Sequence, residues 1–351
     1  MFRAKTLFVL GAGASFEADL PVGDKLLEQI VALTDVRFEH YRQSHGDPLI
    51  VDALKTILNE GREVVQINEH LAAARRLGQS AQQGLSIDNV IDALEDKQIE
   101  LVGKLGIVRA ILKAEGSSSK FRMPERYANK INLKNFNSTW YSSLTKLLTE
   151  NRRVSDFDNV FENVEFIVFN YDRCLEHYLQ FSLSSYFHVP VERVQAAINR
   201  LVVHRPYGVA GRLPWQDGDR PSIPFGEGHA ADLAAAVEQI RTFTEQIDDE
   251  HALTAMRASV EIADRIVFLG FGFHRQNVQL IAASVQENVE IYGTALNVSK
   301  ADQGVIETEL REAFGLEWEP ANMQRVTLAE LTCADFFREY WRTMTAEAPE
   351  T

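Results

Sequence analysis

The chain has 351 residues, 45% of them hydrophobic and 25% charged, with a formal net charge of -14. That balance is globular, long enough for one large domain or two ordinary ones, and excludes a disordered or collagen-like polymer. The acidic excess argues against the whole chain being a nucleic-acid binder, which needs a positive footprint.

The opening apolar run, LFVL, ends in Gly-Ala-Gly rather than at a cleavage site, so it reads as a folded strand over 6–10 and not as a targeting segment. A glycine-rich turn follows, then a helix from about Pro21. Residues 24–151 have almost no strand signal. Apolar residues recur there at helical spacing, as in Leu26, Leu27, Ile30 and Val31, and in Val90, Ile91 and Leu94. The stretch reads as a helical module inserted after the first strand, with its clearest loop at 116–120. Strands are predicted at 164–169, 201–204, 265–271, 289–298 and 323–327. Helices are predicted at 172–183, 230–260, 277–287, 301–314 and 329–345, and residues 346–351 form an acidic tail. The later strands are nearly continuous apolar runs alternating with helices. That pattern predicts an α/β fold with a doubly wound parallel sheet covered on both faces. No apolar run reaches the roughly 18 residues a membrane-spanning helix needs. The two cysteines, Cys174 and Cys333, form no CxxC pair, which excludes a cysteine zinc site or disulfide framework and points to a reducing cytoplasm.

Four strand ends carry candidate chemistry. After the first strand come Gly11, Ala12, Gly13, Ala14 and Ser15. A tight turn there aims bare N–H groups and a helix dipole at whatever lies above, and a pyrophosphate suits that place. The match to GxGxxG is partial, because Phe16 stands at the third glycine position. No acid-ended second strand follows, which demotes a simple dehydrogenase. After the strand at 164–169 come Asn170 and Asp172, a pair suited either to orienting a ribose or water or to capping a helix. His204 ends the next strand, as a general base or as a half-buried structural histidine. Gly270, Phe271 and Gly272 end the strand at 265–271, where backbone approaches a ligand closely. Arg275 then reads as a phosphate ligand or a solvated surface residue. The segment 205–229 holds nine glycines and prolines in 25 residues and reads as a lid, a binding loop or a linker.

In that order, the motifs resemble those of the sirtuin-like NAD-consuming enzymes, and most closely the bacterial sirtuin-like NAD hydrolases of antiphage defence. GAGAS with Leu20-Pro21 resembles the family's first dinucleotide motif. FNYD, Phe169 to Asp172, resembles its Asn-x-Asp motif, and His204 sits in the place of its histidine. FLGFGF resembles the segment touching the adenosine half, and Asn297 is similar to a late asparagine near the adenine ribose. There are departures. The four zinc cysteines of the deacylases are absent. Val22-Gly23-Asp24-Lys25 stands where they carry Asp-Phe-Arg. Arg205-Pro206-Tyr207 separates His204 from Gly208, where the family's histidine is followed at once by glycine. The resemblance implies a sirtuin-like Rossmann domain over 1–23 and 152–345 with the insertion at 24–151. It implies NAD as substrate, no metal, and cleavage of the nicotinamide–ribose bond, with Asn170, His204 and Asp172 as catalytic residues. It also implies a homo-oligomer controlled by a separate sensor: an Argonaute-type protein, a DNA-translocase-type ATPase or a phage protein. Neither a membrane nor nucleic acid is expected as a direct partner. The competing readings are a protein deacylase or ADP-ribosyltransferase on the same fold, and a non-catalytic nucleotide-binding module gating a partner complex.

Overall fold

The structure, a computed structural model, describes residues 1–58, 64–122, 130–241, 245, 250–316 and 325–348. Strand β1 (Thr6–Leu10) leads into a short helix, α1 (Ala12–Phe16), and then α2 (Asp24–Thr34). A hairpin follows, β2 (Arg37–Glu39) with β3 (Arg42–His45). Next come α3 (Pro48–Ile57), α4 (Val64–Ala81), α5 (Ile87–Leu94), α6 (Lys97–Ser117) and α7 (Trp140–Thr149). The chain then runs through β4 (Val164–Val168), α8 (Cys174–Phe187), α9 (Val191–Ile198), β5 (Val203–His204), α10 (Ala230–Ala236) and α11 (Glu250–Glu261). It closes with β6 (Arg265–Leu269), α12 (Arg275–Leu280), β7 (Glu290–Thr294), α13 (Lys300–Ala313), β8 (Val326–Ala329), α14 (Cys333–Glu339) and α15 (Trp341–Thr345).

Six strands form one sheet in the order β5-β4-β1-β6-β7-β8, all parallel. Numbered by their own sequence, that order is 3-2-1-4-5-6, the doubly wound Rossmann arrangement. Its direction reverses between β1 and β6, so the ligand crevice of such a sheet lies over the carboxyl ends of those two strands.

All five residues of β1 and of β6 are buried, as strands covered on both faces must be. Leu7 and Val9 share one face with Ile167, Ile266, Phe268 and Ile291, where residues of α2–α6 and α10–α13 complete the core. Phe8 and Leu10 share the other with Phe166, Val168, Val267 and Leu269, under α7, α8, α9, α14 and α15. The stretch 24–151 therefore divides. Its helices α2–α6 join the first face, whereas Phe121, Phe136 and α7 join the second.

Several predicted elements shift. The hairpin interrupts the helical stretch. α6 runs on through Gly116 and Ser117, shortening the predicted loop. The helix predicted at 230–260 is broken: α10 ends at Ala236, one 3-10 turn covers Val237–Gln239, and Ile240 is extended. Residues 242–244 and 246–249 of that prediction lie outside the described residues, as do 323 and 324 of the last strand and 349–351 of the tail. The terminal helix starts at Cys333 and breaks at Tyr340. No helix among the described residues is long and apolar enough to cross a membrane.

Candidate functional site

At the switch point two glycine turns interlock. The Gly11 N–H donates to the Leu269 carbonyl at 3.0 Å and the Gly13 N–H to the Gly270 carbonyl at 2.9 Å. A Cβ on Gly11 would lie 2.5 Å from the Gly270 oxygen, and one on Gly270 would lie 2.1 Å from the Ala14 nitrogen. Gly270 also has φ +56, a conformation side chains disfavour. These three glycines thus serve backbone-to-backbone packing, where the sequence pattern suggested close approach to a ligand. The open positions are their neighbours. Ala12, the first residue of α1, is exposed, and so is Gly272, whose added Cβ would meet only the His274 ring at 3.2 Å. Phe271 is buried among Phe169, Phe268 and Phe273. Phe16 and Leu296 leave exposed apolar surface after β1 and β7 (57% and 50% accessible), and Asn297 is exposed beside Leu296 with φ +61.

Asn170 and Asp172 follow β4 directly and are both buried. The Asn170 Nδ2 donates to the Gly11 carbonyl at 2.9 Å and to Ser15 Oγ at 2.8 Å. Ser15 Oγ donates in turn to Asp172 Oδ2 at 2.6 Å. Asp172 Oδ1 accepts the N–H of Cys174, the first residue of α8, at 3.0 Å. Asp172 thus holds the first N–H of α8 with one oxygen and the Ser15 hydroxyl with the other. With both amide protons of Asn170 engaged, its Oδ1 takes no donor among the described residues. From below, Arg205 Nη1 donates to the carbonyls of Asn170 (3.1 Å) and Asp172 (2.9 Å), and its Nη2 pairs with Glu176 at 2.6 Å. This arginine was not singled out in the sequence, yet it fixes the backbone that carries both polar residues.

His204 is placed elsewhere. Its Nε2 meets Ser259 Oγ of α11 at 2.8 Å, and burial lowers its pKa, so the ring is neutral near pH 7. It makes no hydrogen bond to Asn170, Asp172 or Ser15. The reason is register: His204 pairs with Ile167, three residues before Asn170, and β5 ends there. The residue directly before Gly208 is Tyr207, which is buried between Phe169 and Tyr171 and donates to Asn277 Oδ1 at 2.6 Å. Burial, then Asp88 and Asp92, push its phenol pKa up, so it is a donor and not a base at neutral pH. Asp88, on α5, accepts the Tyr171 hydroxyl at 2.5 Å, and burial raises its carboxyl pKa. That bond brings the inserted helices to the residue between Asn170 and Asp172. Arg275 pairs with Glu309 at 2.6 Å on the surface, in keeping with its solvated reading.

Both cysteines are free and buried. No cluster of three or more His, Cys, Asp or Glu suited to a metal ion occurs among the described residues. No protein-family model matches the chain, and no curated protein matches it.

Proposed function

We propose that the chain binds NAD across the carboxyl ends of β1, β4 and β6 and cleaves its nicotinamide–ribose bond, with water, to nicotinamide and ADP-ribose. The observation that carries this reading is Asn170: a buried amide with both protons fixed by Gly11 and Ser15, beside the switch point of a Rossmann sheet. The resemblance of GAGAS, FNYD and FLGFGF to the sirtuin-like hydrolases supports it. The exposed start of α1 suits the pyrophosphate, and the open backbone at Gly272 and the apolar surface of Phe16 and Leu296 suit the adenosine half.

Cleavage leaves positive charge shared between the ribose C1′ and its ring oxygen. The Asn170 Oδ1 is a fixed dipole end for that charge or for the attacking water, with no reorganisation during reaction. Asp172 and Ser15 are positioning residues that hold the amide. Such a cation needs a placed water more than a strong base, and the water's proton leaves to solvent after addition. His204, bonded to Ser259, is not required to touch substrate in this scheme. Asn297 belongs to the adenine-ribose end. A chain that destroys NAD needs restraint, so the reading includes a cytoplasmic homo-oligomer under a separate sensor protein of the kinds named above.

The test is NAD turnover by the full chain, resolved by chromatography of nicotinamide and ADP-ribose. Asn170→Ala should lower turnover about 100-fold or more, the scale of losing one fixed dipole. His204→Ala should change it only a few-fold. The placement of His204 favours, as a second reading, a nucleotide-binding module without turnover. NAD-dependent thermal stabilisation with no products would fit that module or the same enzyme at rest without its sensor. Neither stabilisation nor products would sink both readings.

A further inference from the structure

The strands on either side of β1 end in segments that meet one carboxyl of the inserted helices. After β4, the Tyr171 hydroxyl donates to Asp88 Oδ1 at 2.5 Å. After β6, the His274 ring stands 3.2 Å from where a Gly272 Cβ would be, and it lies close enough to act on the charge of the same carboxyl. The head of α5 therefore closes the crevice over the end of β1, with the half-buried Asp88 in its wall. Asp88 forms no ion pair with a lysine or arginine among the described residues. Burial, and Asp92 one turn on along α5, disfavour its charged form, which Tyr171, its own backbone N–H and His274 favour. A cation bound beside it relieves the first two.

We propose that Asp88 is a specificity-determining residue of this crevice: its carboxylate, fixed by Tyr171, faces the cationic nicotinamide end of the dinucleotide and selects the oxidised form over the reduced one. The inference rests on the NAD reading above and adds a residue to it. Oxidised nicotinamide carries a pyridinium charge and reduced nicotinamide none, while the two forms share pyrophosphate and adenosine. A carboxylate in a partly desolvated wall tells them apart, because the Coulomb energy there far exceeds its value in bulk water. The same charge repels the pyrophosphate. It therefore also orients the ligand, with nicotinamide toward α5 and pyrophosphate toward the glycine turn after β1.

Calorimetric titration of the full chain at pH 8 with the carbocyclic analogue of oxidised NAD, NADH and ADP-ribose tests it. The analogue keeps the pyridinium, but with carbon in place of the ribose ring oxygen it cannot form the cation that cleavage needs. Wild type should bind the analogue about tenfold or more tighter than NADH, the scale of one charge pair in such a place. Asp88→Asn keeps the size and an acceptor for Tyr171. It should bring the two within about threefold and leave ADP-ribose affinity unchanged. Tyr171→Phe keeps the charge and should retain more of the preference than Asp88→Asn does. Equal loss of all three ligands in Asp88→Asn would mean a purely structural role and overturn the proposal. So would equal affinity of wild type for the analogue and NADH, or a preference that Asp88→Asn leaves intact. ADP-ribose binding in those two cases leaves the dinucleotide site standing. Binding of none of the three overturns this inference and the NAD reading together.

Discussion

Ser15 gives its hydroxyl proton to Asp172 at 2.6 Å while accepting one from Asn170 at 2.8 Å. One hydroxyl on the first glycine turn therefore fixes both polar residues at the end of a strand more than 150 positions away. Ser15→Ala leaves an Asp172 oxygen and an Asn170 proton without partners in a buried place. The expected cost is about 1–3 kcal/mol in urea unfolding. NAD turnover should fall about tenfold or more, since a 1.4 kcal/mol loss of preorganisation is already tenfold. Ser15→Thr keeps the hydroxyl and should recover most of both. Unchanged unfolding and turnover in the alanine variant would remove Ser15 from the site.

The glycines of the second turn should separate by role. Gly270→Ala forces a Cβ to 2.1 Å from the Ala14 nitrogen at a positive φ, so the two turns must part. The expected loss is on the order of 3 kcal/mol or more, or no folded protein. Gly272→Ala meets only the exposed His274 ring and should fold normally. On the proposed reading, a methyl in this open space after β6 should shrink NAD-dependent thermal stabilisation. Equal melting temperatures for the two variants would contradict the packing described for Gly270.

The strands of the sheet were legible because burial on both faces leaves continuous apolar runs such as TLFVL and RIVFL, and each run announced the polar residues at its end. The hairpin at 37–45 was not. Its residues are mostly polar, and its turn takes positive φ at His40 and Tyr41 (49 and 65) without the Asn-Gly or Asp-Gly that signals such a turn. The helix predicted through 240 failed because alanine-rich periodicity does not register the extended Ile240, which bridges to Gly208. In the site, Asn170 and Asp172 stood out, but the hydroxyl joining them did not, since a serine in a small-residue turn looks like spacing. His204 lies apart from that pair for a related reason. Its chemistry is visible in sequence, while the register that turns it toward Ser259 is a property of the assembled sheet. Tyr207 and Asp88 carry no local motif and emerge only from tertiary contact.

Glu115 of α6 and Arg173 before α8 form a fully buried pair at 2.5 Å that holds the long loop. Arg173 also donates to the carbonyls of Ile223 (2.5 Å) and Pro224 (3.2 Å), and Glu115 accepts the Gly226 N–H at 3.1 Å. Glu115→Gln strips the arginine of its counter-charge in the core, with an expected cost of about 3–5 kcal/mol. Hydrogen exchange should rise first at Gly226, whose amide loses a charged acceptor. A variant with wild-type stability and unchanged exchange at Gly226 would show that the pair does not anchor the loop.

Acid should destabilise the fold through His177. Its ring stacks on Phe225 at 3.8 Å and 2°, and its Nδ1 meets Gln180 Nε2 at 3.2 Å, as suits an unprotonated acceptor. Burial first, and then the Arg173 charge, lower its pKa from 6.5 to about 3. The unfolded chain takes up this proton below its ordinary pKa, and the folded chain refuses it until about pH 3. Stability from this group is therefore complete above about pH 6.5 and declines as pH falls, by up to about 1.4 kcal/mol per unit. Between pH 7 and 5 the decline is on the order of 2 kcal/mol. His177→Phe keeps an aromatic ring against Phe225 and has no proton to gain, so its urea midpoint should fall less steeply over that interval. Parallel curves for wild type and variant between pH 7 and 5 would mean that His177 is protonated as readily in the fold as outside it.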